Sequence, residues 1–358
     1  MSVLHTEKDT AKHLAHDYFI NGNILYCTHQ AMLTTSGKTS SLIVGQNYVE
    51  TSTMIPYVEG VGENASFTEI TSFAQMNQTH VLLADSHHGC IRSVNRKTNS
   101  TRHVAGLCKR VSWADELKDS DLQTSRFYII GSITYHNHII YAVESFKRRI
   151  RKIDLLQNSV KTLVDPNSLR QYDAPGTIVA DYIRGQIFVS TYFGVAQIDA
   201  TNDSFVYLTH GKERGDKVGH LKYSEWNGAT GMAFVPNNTL VIADTLNSKI
   251  KIINLNTSKV STWCFAYAKS KKNCSYMRSP KSFLVKDKRL YLSIDDTISM
   301  IDLPTWFTYE PKVFVDDSLV YQETADTSAY TLSKSAGLCE IINPPTSVSR
   351  VDREFAWN

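Results

Sequence analysis

The sequence predicts an all-β protein, a six-bladed β-propeller built from four-stranded antiparallel blades. Three observations predict it. A short apolar strand ending in a small residue recurs six times, each interval between copies has room for about four strands, and two copies stay aligned through the next strand.

The six copies are Ile24-Leu25-Tyr26-Cys27, Val81-Leu82-Leu83-Ala84, Ile139-Ile140-Tyr141-Ala142, Ile187-Phe188-Val189-Ser190, Leu240-Val241-Ile242-Ala243 and Leu290-Tyr291-Leu292-Ser293. Their last residues lie 57, 58, 48, 53 and 50 positions apart, the content of one blade with its turns. Ala84-Asp85-Ser86 followed by Cys90-Ile91-Arg92-Ser93-Val94-Asn95 matches Ala243-Asp244-Thr245 followed by Lys249-Ile250-Lys251-Ile252-Ile253-Asn254. Alternation of apolar and polar residues marks these as half-buried strands. A strand precedes each copy, as in Thr230-Gly231-Met232-Ala233-Phe234-Val235 before the turn Pro236-Asn237-Asn238. Each blade then reads a–b–c–d, with strand a nearest the axis.

The expected blades span roughly 13–56, 67–106, 127–164, 175–211, 229–265 and 279–315, between an N-terminal tail at 1–12 and a C-terminal closing segment at 316–358. A seventh blade has little room. Chance periodicity in a β-sandwich is the alternative.

Composition bounds the function. A hydrophobic fraction of 42%, a charged fraction of 20% and a net charge of +3 exclude a disordered chain and argue against a dedicated nucleic-acid binder. No apolar run is long enough to cross a membrane as a helix. The start, Met1-Ser2-Val3-Leu4-His5-Thr6-Glu7-Lys8, lacks the apolar core of a signal peptide. The chain is therefore either cytosolic or a form whose leader has been removed.

The segment Tyr57-Val58-Glu59-Gly60-Val61-Gly62-Glu63-Asn64-Ala65-Ser66-Phe67 resembles the Gly- and acid-rich connector between blades of the NHL-repeat family. The stretch from Leu83-Ala84-Asp85-Ser86 to Val104-Ala105-Gly106 is similar to the same family, and the resemblance extends over about His13 to Val315. It implies six blades and leaves function open, because propellers host unrelated activities.

Six cysteines and seven Asn-x-Ser/Thr triplets bear on the compartment. Were the c–d hairpin of blade two centred between Thr98 and Asn99, the numbers of paired residues would add to 197, and 90 and 108 add to 198. Cys90 and Cys108 are thus expected within disulfide reach on adjacent strands. Cys264 and Cys274 would close a short loop, and by elimination Cys27 would pair with Cys339 across the ring closure. The triplets begin at Asn64, Asn77, Asn99, Asn202, Asn237, Asn256 and Asn273. Asn99, Asn202 and Asn256 fall in c–d turns, Asn77 and Asn237 in a–b turns, where glycan can be attached. The expectation is a secreted protein or the extracellular domain of a membrane protein, with any tether outside this segment.

In such blades the a–b and c–d turns share one edge, which glycans would shield. The b–c loops and connectors share the other. The b–c edge is expected to bind a protein or other extracellular ligand through Phe146, Arg148, Arg149, Tyr192, Phe193, His87 and His88, since aromatic and Arg side chains dominate interfaces. No catalytic residue, cofactor or nucleic-acid partner is expected. Two alternatives stay open. NHL-like propellers include a zinc-dependent amidating lyase and calcium-dependent lactonases; His29, His87 and His88 could approach zinc, and Asp85, Asp244, Asn247 and Asp295 could hold calcium. Intracellular NHL propellers bind RNA on a basic face, and Phe146-Lys147-Arg148-Arg149-Ile150-Arg151-Lys152 could form one, although alternating charge on strand c usually marks a solvated face.

Overall fold

The computed structural model describes residues 2–3, 19–20, 23–46 and 55–263 with short breaks, and strands within 283–302 and 331–342. The described residues form an all-β protein of antiparallel sheets, without an α-helix; six three-residue 3-10 turns are the helical content. The first sheet holds strands Phe19–Ile20, Asn23–Cys27, Ala31–Thr35 and Ser40–Gly45, and the second Ile70–Gln75, His80–Asp85, Cys90–Asn95 and Ser100–Ala105. The third holds Ser132–His136, Ile139–Glu144, Arg149–Asp154 and Ser159–Val164; the fourth, Pro175–Asp181, Gln186–Thr191, Gly194–Asp199 and Phe205–Tyr207. The fifth adds Gly219–His220 to Ala229–Val235, Thr239–Asp244, Lys249–Asn254 and Lys259–Trp263. In each of these five the four main strands pair in chain order.

The sixth sheet is different. Phe283–Lys286, Arg289–Ile294 and Thr297–Asp302 come from the end of the repeat region, and Ser2–Val3 supplies the outer strand by pairing with Met300 and Ser299. The segment read as a tail thus carries a strand. A separate hairpin joins Thr331–Ser335 to Leu338–Ile342.

Period-two alternation in these strands does not divide core from solvent. On His80–Asp85, Val81 and Leu83 pack with Leu25 and Met32 of the first sheet, whereas Leu82 and Ala84 pack with Ile133 and Ile140 of the third. Ile187 and Val189 of the fourth sheet likewise join Tyr141 and Val143 of the third, while Phe188 joins Met232 and Leu240 of the fifth. Each inner sheet is covered on both faces by its chain neighbours, which corrects the half-buried reading. Polar bonds run between the same neighbours: Ile133 N–H donates to the Ser72 hydroxyl (3.0 Å), Ile178 N–H to the Ser132 hydroxyl (3.2 Å), and the Thr177 hydroxyl to the Thr230 carbonyl.

The c–d turns of the second to fifth sheets are built alike. Asn95, Asp154, Asp199 and Asn254 each accept backbone N–H bonds from residues two or three further on, and Asn99, Asn158, Asp203 and Ser258 take the left-handed conformation that closes the turn. This fixes the register of the second sheet at Asn95↔Ser100, where paired numbers add to 195 rather than 197. A bulge between Ile91 and Arg92 then shifts it by one. Cys108 lies beyond the strand, after Gly106 (φ +98°), and itself has φ +48°. The chain bends back there, bringing Cys108 to a Cα–Cα distance of 5.0 Å from Cys90, and the two form a disulfide. The bond exists, but a bend after the strand makes it, not a ladder position. The pairs Cys264–Cys274 and Cys27–Cys339 involve side chains outside the described residues; Cys27 itself is buried among Leu25, Met32 and Phe73.

Candidate recognition edge

Three b–c loops share one construction. Strand b ends in a buried acid, Asp85, Glu144 or Asp244; a 3-10 turn follows, Ser86–His88, Ser145–Lys147 or Thr245–Asn247; and Gly89, Arg148 or Ser248 closes it in the left-handed conformation. Two residues into strand c stands a buried cation: Arg92, Arg151 or Lys251. The pairs meet at 3.2 Å (Arg92–Asp85), 3.1 Å (Arg151–Glu144) and 2.6 Å (Lys251–Asp244).

These pairs hold the connector entering each sheet. The acid accepts a backbone N–H from Thr68 (3.1 Å), Tyr128 (2.5 Å) or Asn227 (2.8 Å). The cation donates to the carbonyl two residues earlier: Ser66 (2.5 Å), Arg126 (3.1 Å) or Glu225 (2.7 Å). Between them a buried aromatic lies under the cation, Phe67 at 4.2 Å, Phe127 at 5.0 Å and Trp226 at 4.8 Å. Desolvating an ion pair is costly, and here connector carbonyls and N–H groups supply the additional bonds that offset it. Arg151 is therefore buried, and the basic run of strand c is not a solvated face. Lys152 of the same run is bonded to Asp203 (2.7 Å).

Asp85 also accepts from the His88 ring (3.0 Å), whose other nitrogen faces the Ile55 carbonyl (3.2 Å). Burial alone would push the Asp85 carboxyl up. Bonding to His88, the charges of His88 and Arg92 and the Thr68 hydroxyl outweigh it and hold the group below the usual carboxylate range. His88 is thus a buried brace, not a surface residue, and Asp85 and Asp244 each face a buried cation. Asp295, His29, Asn237 and Asn273 fall outside the described residues. Among the described residues no group of three or more His, Cys, Asp or Glu stands together as a metal site.

The middle residue of each 3-10 turn projects outward. His87 is exposed beside Glu69 (3.0 Å), Phe146 is 66% exposed and Leu246 is 55% exposed. In the fourth sheet the loop is only Tyr192-Phe193. Tyr192 is half-buried with Arg214 5.6 Å from its ring, while Phe193 is 8% exposed because its N–H is drawn to Asp173 (3.2 Å). Phe193 is therefore part of the packing rather than an anchor. Arg148 is also fixed: its guanidinium donates to the carbonyls of Asp173 (2.7 Å) and Arg170 (2.8 Å). Arg149 is half-buried.

At the opposite edge, Asn202 and Asn256 are exposed, and Asn77 and Asn99 are half-buried. Asn64 is exposed too, on a connector that folds back along strand d so that Gly62 N–H donates to the Asn99 carbonyl (2.9 Å). The sequence did not place this connector against the Asn99 turn. The buried ion pairs were also missed, although the spacing of seven between 85 and 92, 144 and 151, and 244 and 251 carries them.

No family model matches the chain, and no curated protein matches it in sequence. Solved structures do. An auxiliary nutrient binding protein from Bacteroides thetaiotaomicron is similar at 7% identity and a TM-score of 0.57, over 82% of this chain and 69% of that one. A second, from Bacteroides ovatus, is 9% identical with a TM-score of 0.56, over 82% and 70%. The extracellular domain of a one-component system from B. thetaiotaomicron is 10% identical with a TM-score of 0.50, over 84% of this chain and 39% of that one. At these identities the likeness concerns the fold.

Proposed function

We propose that this chain is a closed six-bladed propeller of NHL type, exported from the cell, that works as a non-catalytic recognition module through its b–c edge. Six sheets in chain order, five packed or paired in succession and the sixth completed by the N-terminal strand, support the ring. The Cys90–Cys108 disulfide supports an oxidising compartment. The nutrient-binding and extracellular names of the similar structures agree with that reading.

The observation that carries the function is Phe146. A large aromatic side chain is 66% exposed on a turn whose two ends are tied to a buried ion pair, so it is held out rigidly instead of folding in. Rigid exposed aromatics are the usual anchors of an interface. The RNA-binding alternative loses support, because Arg151 is buried and Arg148 and Lys152 are engaged.

Screening the whole disulfide-bonded chain against an array of extracellular domains tests this. Partners should be lost with Phe146→Ala or Tyr192→Ala and kept when a bulky group is placed at the Asn99 turn. The reverse pattern would assign recognition to the other edge.

A further inference from the structure

The fourth sheet lacks the buried ion pair of the second, third and fifth sheets. Its strand b ends in Thr191, where the second, third and fifth sheets have an acid, and Ala196 stands where they have Arg92, Arg151 or Lys251. The connector nevertheless enters in the same way: the Ala174 carbonyl accepts from Tyr192 N–H (3.0 Å) as the Glu69 carbonyl does from Ser86 (2.8 Å) and Gly228 from Thr245 (3.1 Å). Counting back two residues, Tyr172 occupies the position of Phe67 and Trp226. Those aromatics are fully buried under a cation. Tyr172 has no such cation and is 80% exposed, at φ +62°.

A left-handed backbone is costly for an aromatic residue, and 80% exposure returns no burial energy for it. The surroundings hold it there. Arg148 of the third sheet clamps the carbonyls on either side, those of Arg170 and Asp173, and Arg170 is stacked on Tyr207 at 3.8 Å and bonded to the Thr209 and Gly211 carbonyls (2.6 Å each).

The hydrogen bonds define a continuous strip. Phe146 leads to Arg148, which bonds the Tyr172 segment; Ala174 bonds Tyr192; Tyr192 bonds Gly228; and Gly228 lies under Leu246. Three large side chains, Phe146, Tyr172 and Leu246, are more than half exposed along it. Among the described residues no carboxylate pairs with Arg148, Arg170 or Arg214, whose bonds and ring contacts on this strip are to carbonyls and tyrosines. Asp216, on the same connector as Arg214, is taken up by Lys249 and Lys251. Asp173 adds a buried carboxylate bonded to Ala174 and Phe193 N–H, and Glu213 is exposed beside Arg214, so the strip is apolar with a small excess of positive charge from Arg148, Arg170 and Arg214.

We propose that Tyr172 is the central anchor of this strip and that the strip docks an acidic segment of a partner protein, whose apolar side chains sit between Phe146, Tyr172 and Leu246 while a carboxylate faces the exposed Arg214. This rests on the b–c edge being the recognition edge. Charge complementarity selects an acidic partner, and the apolar side chains set between the arginines select a polypeptide over a bare polyanion.

A displayed random-peptide library, selected on the whole disulfide-bonded chain, tests it. Enriched peptides should carry Asp or Glu next to aromatic or aliphatic residues and weaken as salt rises. They should lose about tenfold in affinity with Tyr172→Ala and with Arg214→Gln, both exposed positions, while the melting temperature stays unchanged. Enriched peptides that are neutral or basic yet depend on Phe146 would overturn the acidic partner and leave the recognition edge standing. Enrichment no greater than on the Phe146→Ala/Tyr172→Ala/Leu246→Ala variant would remove both. Heparin or single-stranded RNA bound more tightly than any peptide, and indifferent to Tyr172→Ala, would replace the protein partner with a polyanion.

Discussion

The Arg92 guanidinium stands 3.2 Å from the Asp85 carboxylate, and neither side chain reaches solvent. Arg92 also reaches the carbonyls of Ser66 and Val58 and lies over Phe67, so one side chain joins strand c, strand b and the incoming connector. Arg92→Ala leaves a buried carboxylate without its partner and should cost about 3–5 kcal/mol in denaturant unfolding. A loss below about 1 kcal/mol would show that the pair is dispensable.

The Asp85 carboxyl, held down by His88 first and Arg92 second, sets an acid limit on stability. Because the Asp85 carboxyl is held below its unfolded value, its contribution is fully present above the unfolded value and is lost as pH falls through the folded one. Asp85→Asn should destabilise the protein near neutral pH, with the difference from wild type shrinking on acidification. A constant difference from pH 7 downward would contradict this linkage.

The Cys90–Cys108 bond closes a separation of 18 residues at the outer end of the second sheet. Replacing both with Ser should lower unfolding free energy by about 3 kcal/mol, chiefly by freeing the denatured chain. Unchanged stability under reducing conditions would mean that the sheet holds this corner without the bond.

Phe146 and Phe193 should part company under mutation. Phe193→Ala opens a buried position and should cost about 3 kcal/mol or more. Phe146→Ala should stay within about 0.5 kcal/mol of wild type in stability. Equal melting temperatures for the two variants would contradict their placement.

Asn202 and Asn256, exposed in c–d turns, are the positions expected to carry glycan when the chain is made in a secreting eukaryotic cell. Intact mass before and after enzymatic deglycosylation would show occupancy. Their remaining bare would take away the shielding argument for the opposite edge.

The sequence by itself determined the strands. Six copies such as Val81-Leu82-Leu83-Ala84, the Asx residues that begin the c–d turns of the second to fifth sheets and the cysteines at 90 and 108 are local signals, because strand patterning and turn chemistry depend on near neighbours. What lies on each face of a strand is not local. Leu82 and Leu83 look alike in sequence, and only the stacking of sheets sends one toward the third sheet and the other toward the first. For the same reason Arg151, in a run of charges, is buried, and Phe193, in a loop, is packed. Tyr172 shows the converse: an aromatic at the place where its counterparts are buried stays outside, because the cation that would cover it is Ala196, a residue on another strand. Burial of a polar or aromatic side chain is decided by the partner brought to it, and that partner is supplied by tertiary structure.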